Sequence, residues 1–113
     1  MKPRILIDLE RTRYPYSGLG YYGHALAQGL QEASDPALDL HYYAPSSYPV
    51  PQREGFSPLH ALISTQARGY DLVHITHQRQ HYFPQLWGAK CIVTLHDLNF
   101  LTEPLPEAKR EKL

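Results

Sequence analysis

Lys90-Cys91-Ile92-Val93-Thr94-Leu95-His96-Asp97-Leu98 is the stretch of this 113-residue chain that decides the fold class. Its apolar and β-branched residues predict a strand over residues 90–96 that is buried on both faces, as in a parallel sheet. The strand places the titratable pair His96 and Asp97 at its carboxyl end, the edge where open α/β sheets bind ligands. The stretch therefore predicts part of an active site as well as a strand.

Strand and helix patterns alternate upstream of this stretch. Apolar runs predict strands at residues 4–9, 38–44 and 71–75. Apolar residues at helical spacing predict a helix over residues 21–33 and a shorter one over residues 59–67, ended by Gly69. The order strand, helix, strand, helix, strand, connection, strand predicts a Rossmann-like α/β domain with a mostly parallel sheet and helices on both faces.

Two connections lack a regular pattern. Residues 45–58 contain four prolines and predict a loop, and residues 78–87 predict a polar and aromatic connection. After Leu98 the alternation stops, and residues 107–113 resemble the first turns of a charged helix. We therefore expect residues 1–113 to form a single, incomplete domain of a longer protein.

The composition excludes several classes of protein. Eleven basic and eleven acidic residues cancel, so no overall field attracts nucleic acid or an anionic membrane, and any charged partner must be bound locally. Cys91 is the single cysteine, which excludes an internal disulfide, and we predict a buried thiol in a reducing compartment. The sequence shows neither a signal-peptide core nor a membrane span, so we expect a cytoplasmic protein, with peripheral attachment to the membrane left open.

A glycine-rich segment, residues 16–22, precedes the first predicted helix. Gly18, Gly20 and Gly23 match the spacing of the dinucleotide-binding motif, but eight residues separate Leu9 from Gly18, whereas that motif follows its strand directly. A structural turn into the helix and a contact with a phosphate group are the other two interpretations. The pattern favours the phosphate contact.

Histidines and arginines supply the other candidate site residues. His96, with Asp97, either binds a substrate hydroxyl in a cleft or caps a turn. His77 follows the third predicted strand and is expected to line the same cleft, and Arg11 is either an anion contact or a solvated loop charge. No cysteine or carboxylate set completes a metal site with the histidines, so no metal is predicted.

Four motifs together resemble the amino-terminal half of family 4 glycosyltransferases, which are retaining enzymes of the GT-B fold. The motifs are Ile5-Leu6-Ile7-Asp8, Ser17-Gly18-Leu19-Gly20-Tyr21-Tyr22, Asp71-Leu72-Val73-His74 and Val93-Thr94-Leu95-His96-Asp97-Leu98. Their order and spacing match the family over nearly the whole chain. Ser17 and Tyr21 depart from it, since the family often has glycine and arginine at these positions.

The resemblance implies a hexosyltransferase of polysaccharide biosynthesis, with a nucleotide-sugar donor and a glycan or lipid-linked acceptor as substrates and no cofactor. Gly18, Leu19 and Gly20 are implied to contact the donor diphosphate, and His96, supported by Asp97, to lie beside the transferred sugar. Tyr21, Arg11 and His77 are then expected to bind substrate. The donor-binding carboxyl-terminal domain is missing from this chain, so we expect no transfer by these residues alone. The alternative is a non-catalytic Rossmann-like module that binds a nucleotide or a partner.

Overall fold

Five parallel strands form one sheet in the computed structural model, which describes residues 2–14, 16–33, 35–78 and 80–94. The strands are β1 (Arg4–Asp8), β2 (Asp39–Ala44), β3 (Arg53–Gly55), β4 (Leu72–Ile75) and β5 (Lys90–Val93). A long helix, α1 (Gly18–Ala33), follows β1, and short 3-10 helices span Glu10–Arg13, Pro58–Ala61 and Thr65–Ala67. The predicted α/β class and parallel sheet are confirmed.

The spatial order of the strands is β3-β2-β1-β4-β5. β1 lies at the centre and pairs with β2, where Ile7 is opposite Tyr42, and with β4, where Leu6 is opposite Val73. The chain adds β2 and β3 on one side of β1 and then returns to add β4 and β5 on the other side. The strand order therefore reverses between β1 and β4, which is where crevices form at the carboxyl edge of such sheets.

Each face of the sheet has its own apolar core, because neighbouring residues of a strand point to opposite faces. On one face Ile7 and Tyr42 pack with Ala27 of α1. On the other face Leu6 and Val73 form a second cluster, together with Tyr43, Ala67, Tyr70, Ile75 and Phe83. The described layer on this second face consists of 3-10 helices and irregular connections, whereas α-helices were predicted on both faces.

The predicted burial of the last strand is wrong for its described part. β5 lies in the predicted place, but all four of its residues are exposed, including Ile92 at 50% and Val93 at 44%. Cys91 is exposed as well, although a buried thiol was predicted. The reason is position: β5 is the outermost described strand, and α1 packs over β1 and β2 instead.

Three boundaries also differ from the prediction. α1 begins at Gly18, three residues before the predicted start, so residues 18–22 of the glycine-rich segment are helical. The short strand β3 lies within the predicted loop, residues 45–58, and pairs with β2. The predicted helix over residues 59–67 is two separate 3-10 helices, Pro58–Ala61 and Thr65–Ala67.

Candidate functional site

Charged residues gather at the carboxyl ends of β1 and β4, where the strand order reverses. Residues 8–13 leave β1 through the 3-10 helix Glu10–Arg13, and residues 76–78 leave β4. The two segments are tied together, since the Thr76 hydroxyl donates a hydrogen bond of 2.8 Å to the Asp8 carbonyl oxygen. We call residues 8–13 together with Thr76 and His77 the switch-point cluster.

Glu10 is the centre of the switch-point cluster. Its side chain is only 3% exposed, and its carboxylate accepts a hydrogen bond from Arg13 Nε at 2.8 Å, with Arg13 Nη2 at 2.5 Å. Arg11 Nε lies 3.7 Å from the second carboxylate oxygen and 3.4 Å from His77 Nε2. A buried carboxylate is stable only beside positive charge, so these two arginines account for the burial of Glu10.

Arg13 is further fixed by aromatic rings. Its guanidinium carbon lies 4.3 Å from the ring centre of Phe56, 4.9 Å from that of Tyr14 and 5.8 Å from that of Tyr82. A guanidinium ion is attracted to the negative face of an aromatic ring. Burial lowers the pKa of Arg13, but the hydrogen bond and the ion pair with Glu10 outweigh this effect and raise the pKa. Arg13 therefore acts as a permanent positive charge with a fixed position.

Asp8, the last residue of β1, is a second buried acid at the same edge. The residue is 2% exposed, and its Oδ1 accepts a hydrogen bond of 3.0 Å from the Glu10 backbone N–H. Burial raises the pKa of Asp8 to about 7, and the Glu10 N–H and the Arg11 charge oppose this rise. Asp8 is thus poised to change its protonation state near neutral pH, the property required of a general acid or base.

The first turn of α1 lies against the same 3-10 helix. Ser17 caps the first turn of α1, because its hydroxyl oxygen accepts a hydrogen bond of 3.0 Å from the Gly20 N–H. The same hydroxyl donates a hydrogen bond of 2.8 Å to the Tyr14 carbonyl oxygen. The N–H groups of Gly18 and Leu19, also in this turn, have no acceptor within the helix itself. The turn carries the partial positive charge of the helix dipole, which favours an anion.

A small aromatic cavity lies beside the first turns of α1. It has a volume of about 240 Å³ and is lined by Thr12, Gly20, Tyr21, His24 and Tyr48. The His24 Nδ1 atom lies 2.7 Å from the Tyr48 hydroxyl, and the two rings meet edge to face. Such a cavity combines apolar ring faces with polar groups, as small-molecule sites do.

Polar residues also lie close together at the carboxyl end of β5. Thr94 Oγ1 lies 2.9 Å from His74 Nε2 of β4 and 3.4 Å from the Tyr22 hydroxyl of α1. Burial lowers the pKa of His74 and so favours the neutral form of its imidazole. Thr94 is the last described residue before His96 and Asp97, which lie outside the described residues.

The predicted site residues thus have different environments. Arg11 and His77, from distant parts of the sequence, are in contact, but His77 is only 2% exposed and does not line an open cleft. Gly18, Leu19, Gly20 and Tyr21 all lie in the first turn of α1, and Tyr21 is 71% exposed.

Sequence reasoning missed the two buried acids, Asp8 and Glu10. The signal was the alternation of charge in Asp8-Leu9-Glu10-Arg11-Thr12-Arg13 directly after a buried strand. Charges in that position face the carboxyl edge of the sheet, where they can pair with one another.

Within the described ranges, no group of three or more histidine, cysteine, aspartate or glutamate residues is placed to hold a metal ion. The described part of the chain also contains no helix with both the length and the apolar character needed to cross a membrane. Comparison of the chain with protein-family models, curated proteins and solved structures gives no match.

Proposed function

We propose that this chain is the Rossmann-like, amino-terminal, acceptor-side domain of a retaining glycosyltransferase of the GT-B fold. The whole enzyme transfers a hexose from a nucleotide-sugar to a glycan or lipid-linked acceptor in the cytoplasm. The observation that carries the proposal is the reversal of strand order between β1 and β4, with charged residues gathered at that point.

The positions of the four family-like motifs support the proposal. Ile5-Leu6-Ile7-Asp8 lies in β1, and Ser17-Gly18-Leu19-Gly20 caps and begins α1. Asp71-Leu72-Val73-His74 leads into β4, and Val93 ends β5. The first three motifs therefore belong to β1, α1 and β4, the elements at the point where the strand order reverses and where ligands of such sheets bind. The fourth motif begins at the end of β5, the strand next to β4.

Several of the predicted site residues have a role in this proposal. The first turn of α1, with Gly18 and Leu19, favours the donor diphosphate through its N–H groups. Arg11, half-buried beside Glu10, adds positive charge at the same edge. Tyr21 provides an exposed ring for a sugar of the acceptor beside the aromatic cavity. His96 and Asp97 are proposed to act beside the transferred sugar.

A single domain holds only one side of the reaction. Catalysis requires both substrates to be fixed in one geometry that stabilises the transition state. In the proposal the donor site belongs to a carboxyl-terminal domain beyond this chain. We therefore expect residues 1–113 alone to transfer no sugar, although they retain part of the acceptor site.

The test begins with the native protein, whose mass is measured first. A mass of about 40 kDa, that of two or three typical domains, is expected. The full protein is then assayed for release of nucleoside diphosphate from nucleotide-sugars in the presence of lipid-linked acceptors. His96→Ala is expected to lower the transfer rate by about a hundredfold or more, as loss of a positioned acid or base does.

Two further variants, one at an arginine and one at a lysine, are measured in the same assay. Arg11→Gln is expected to weaken donor use, whereas Lys90→Gln removes a charge from the exposed amino end of β5 and serves as the matched control. A native mass equal to that of the 113-residue chain, or unchanged transfer in His96→Ala, would contradict the proposal.

One observation favours the alternative, a non-catalytic nucleotide-binding or interaction module. The charges of the switch-point cluster already neutralise one another, since Glu10 pairs with Arg13 and lies near Arg11. Binding of a nucleotide without turnover, measured by calorimetry on the native protein, is the result that this alternative expects.

A further inference from the structure

Four large apolar side chains are exposed together on the layer that covers the second face of the sheet. Leu59 is 72% exposed, Leu62 76%, Ile63 54% and Trp87 46%. We call these four residues the crossover patch, because three of them lie in the connection that leads from β3 to β4.

Three residues of the crossover patch share one surface, and the fourth is hydrogen-bonded to the same segment of the chain. Leu59, Leu62 and Ile63 line the same shallow depression, of about 340 Å³. Trp87 is held beside them because its indole Nε1–H donates a hydrogen bond of 2.9 Å to the carbonyl oxygen of Ser64, the residue after Ile63. Exposed apolar groups gathered in this way mark an interaction surface, whereas single exposed apolar residues are ordinary.

The backbone holds Trp87 in an uncommon conformation. Its φ angle is +54°, in the left-handed region that bulky residues seldom adopt. Such conformations persist where the surrounding structure fixes them, and they concentrate at functional positions. Here the hydrogen bond to Ser64 fixes an indole that stays half exposed.

A basic side chain, that of Arg68, adjoins the crossover patch. The Arg68 guanidinium lies 4.7 Å from the Trp87 ring centre, so a positive charge adjoins the apolar surface. The surface thus combines leucine, isoleucine, tryptophan and arginine, and residues 55–70 of the sequence, which supply all of these side chains except Trp87, contain no aspartate or glutamate.

We propose that the crossover patch docks this protein onto the surface of an anionic phospholipid bilayer. Leucine and isoleucine insert at the boundary of the acyl chains, and tryptophan prefers the headgroup level because its ring is apolar and its N–H is polar. Arg68 meets the negative headgroups. The inference goes beyond sugar transfer and does not depend on it, because vesicle binding and transfer have separate readouts.

Vesicles provide the test, with the full protein and with lipids of known composition. Binding is measured by co-sedimentation with vesicles of phosphatidylcholine alone and of phosphatidylcholine mixed with phosphatidylglycerol. Trp87 is the single tryptophan of the 113-residue chain, and the part of the full protein's emission that is lost in Trp87→Phe reports on the crossover patch. We expect a blue shift of that emission, and binding that is stronger on the anionic vesicles and weaker in high salt.

Variants show whether this surface carries the binding. Leu62→Ser combined with Ile63→Ser is expected to weaken binding about tenfold or more, because two apolar side chains no longer enter the interface. Arg68→Gln is expected to weaken binding to the anionic vesicles about fivefold and to leave binding to phosphatidylcholine unchanged. Tyr16→Ser is the matched control, since Tyr16 is fully exposed but lies outside the crossover patch.

Three outcomes would overturn the proposal. The first is no vesicle binding, and the second is equal binding by the double variant and the wild type. The third is a concentration-dependent dimer that the double variant dissociates, which would make the patch an interface between copies. Unchanged circular dichroism is the check on folding, and Leu59→Ser replaces the double variant if that variant does not fold.

Discussion

Gly20 of α1 lies directly against the backbone of Tyr14. A Cβ atom added to Gly20 would stand 2.1 Å from the Tyr14 carbonyl oxygen and 2.9 Å from that of Arg11. Both neighbours are backbone atoms, so they cannot rotate away as the end of a side chain would. The contact fixes α1 against the 3-10 helix Glu10–Arg13, which carries the charges of the switch-point cluster.

Gly20→Ala is therefore expected to destabilise the protein by about 3 kcal/mol, because the added methyl group forces the backbone to move. Gly18→Ala is the matched control in the same helical turn, where no described atom lies within 4 Å of an added Cβ. It is expected to change stability by less than about 1 kcal/mol, in the stabilising direction. Denaturant unfolding of both variants measures the difference, and equal losses in the two would contradict it.

Ser64 is a second position where a small change has a large expected effect. The side chain is fully buried, donates a hydrogen bond to the Gln85 carbonyl oxygen and accepts one of 2.9 Å from the Gln85 N–H. Ser64→Ala leaves both backbone groups without this partner and is expected to cost about 2 kcal/mol.

Ser57→Ala is the control for Ser64. The Ser57 hydroxyl accepts a longer hydrogen bond of 3.3 Å from the Leu59 N–H in an exposed position, where water can replace it. We expect a loss of less than about 0.5 kcal/mol. If the melting temperatures of the two variants fall equally, the account of Ser64 is wrong.

Three of the strands that the sequence predicts correctly have buried residues of their own. β1, β2 and β4 bring Leu6, Tyr42 and Val73 into the two cores, so each strand has an apolar signal of its own. β3, which consists of Arg53-Glu54-Gly55, has no such signal and exists because it pairs with β2. The exposure of β5 likewise depends on which strands α1 covers, which is a tertiary property.

The candidate site was predictable to a similar extent. Arg11 and His77 could be selected from separate segments because the carboxyl ends of parallel strands meet at one edge. Their direct contact, and the burial of Asp8 and Glu10, depend on how the 3-10 helix packs against β4 and α1. A charged residue after a strand is most often solvated, so the amino-acid sequence alone does not indicate that Asp8 and Glu10 are buried.

His74 is expected to titrate below the ordinary histidine pKa of about 6.5, because burial disfavours its charged form. Its contribution to stability is therefore present above that pKa and is lost as the pH falls. An NMR titration of the histidine C–H resonances, assigned with His74→Gln, measures the pKa. A value at or above about 6.5 would show that burial does not control this residue.

Asp8 has the opposite linkage to pH, because its pKa in the folded protein is raised from 3.8 to about 7. The folded state holds the proton more tightly than the unfolded state, so stability is greatest below the unfolded pKa and falls as the pH rises to about 7. At about 1.4 kcal/mol per pKa unit, the loss attributable to Asp8 reaches about 4 kcal/mol.

Asp8→Asn tests this linkage, because asparagine mimics the protonated acid and keeps an acceptor for the Glu10 N–H. Denaturant unfolding between about pH 4 and about pH 8 is expected to show a weaker decline in this variant than in the wild type. Asp35→Asn, at an exposed residue after α1, is expected to keep the wild-type decline. Parallel profiles for wild type and Asp8→Asn would mean that Asp8 is ionised in the folded protein. In that case the positive charge of Arg11 and Arg13 would outweigh the cost of burial, and Asp8 would be excluded as a general acid or base near neutral pH.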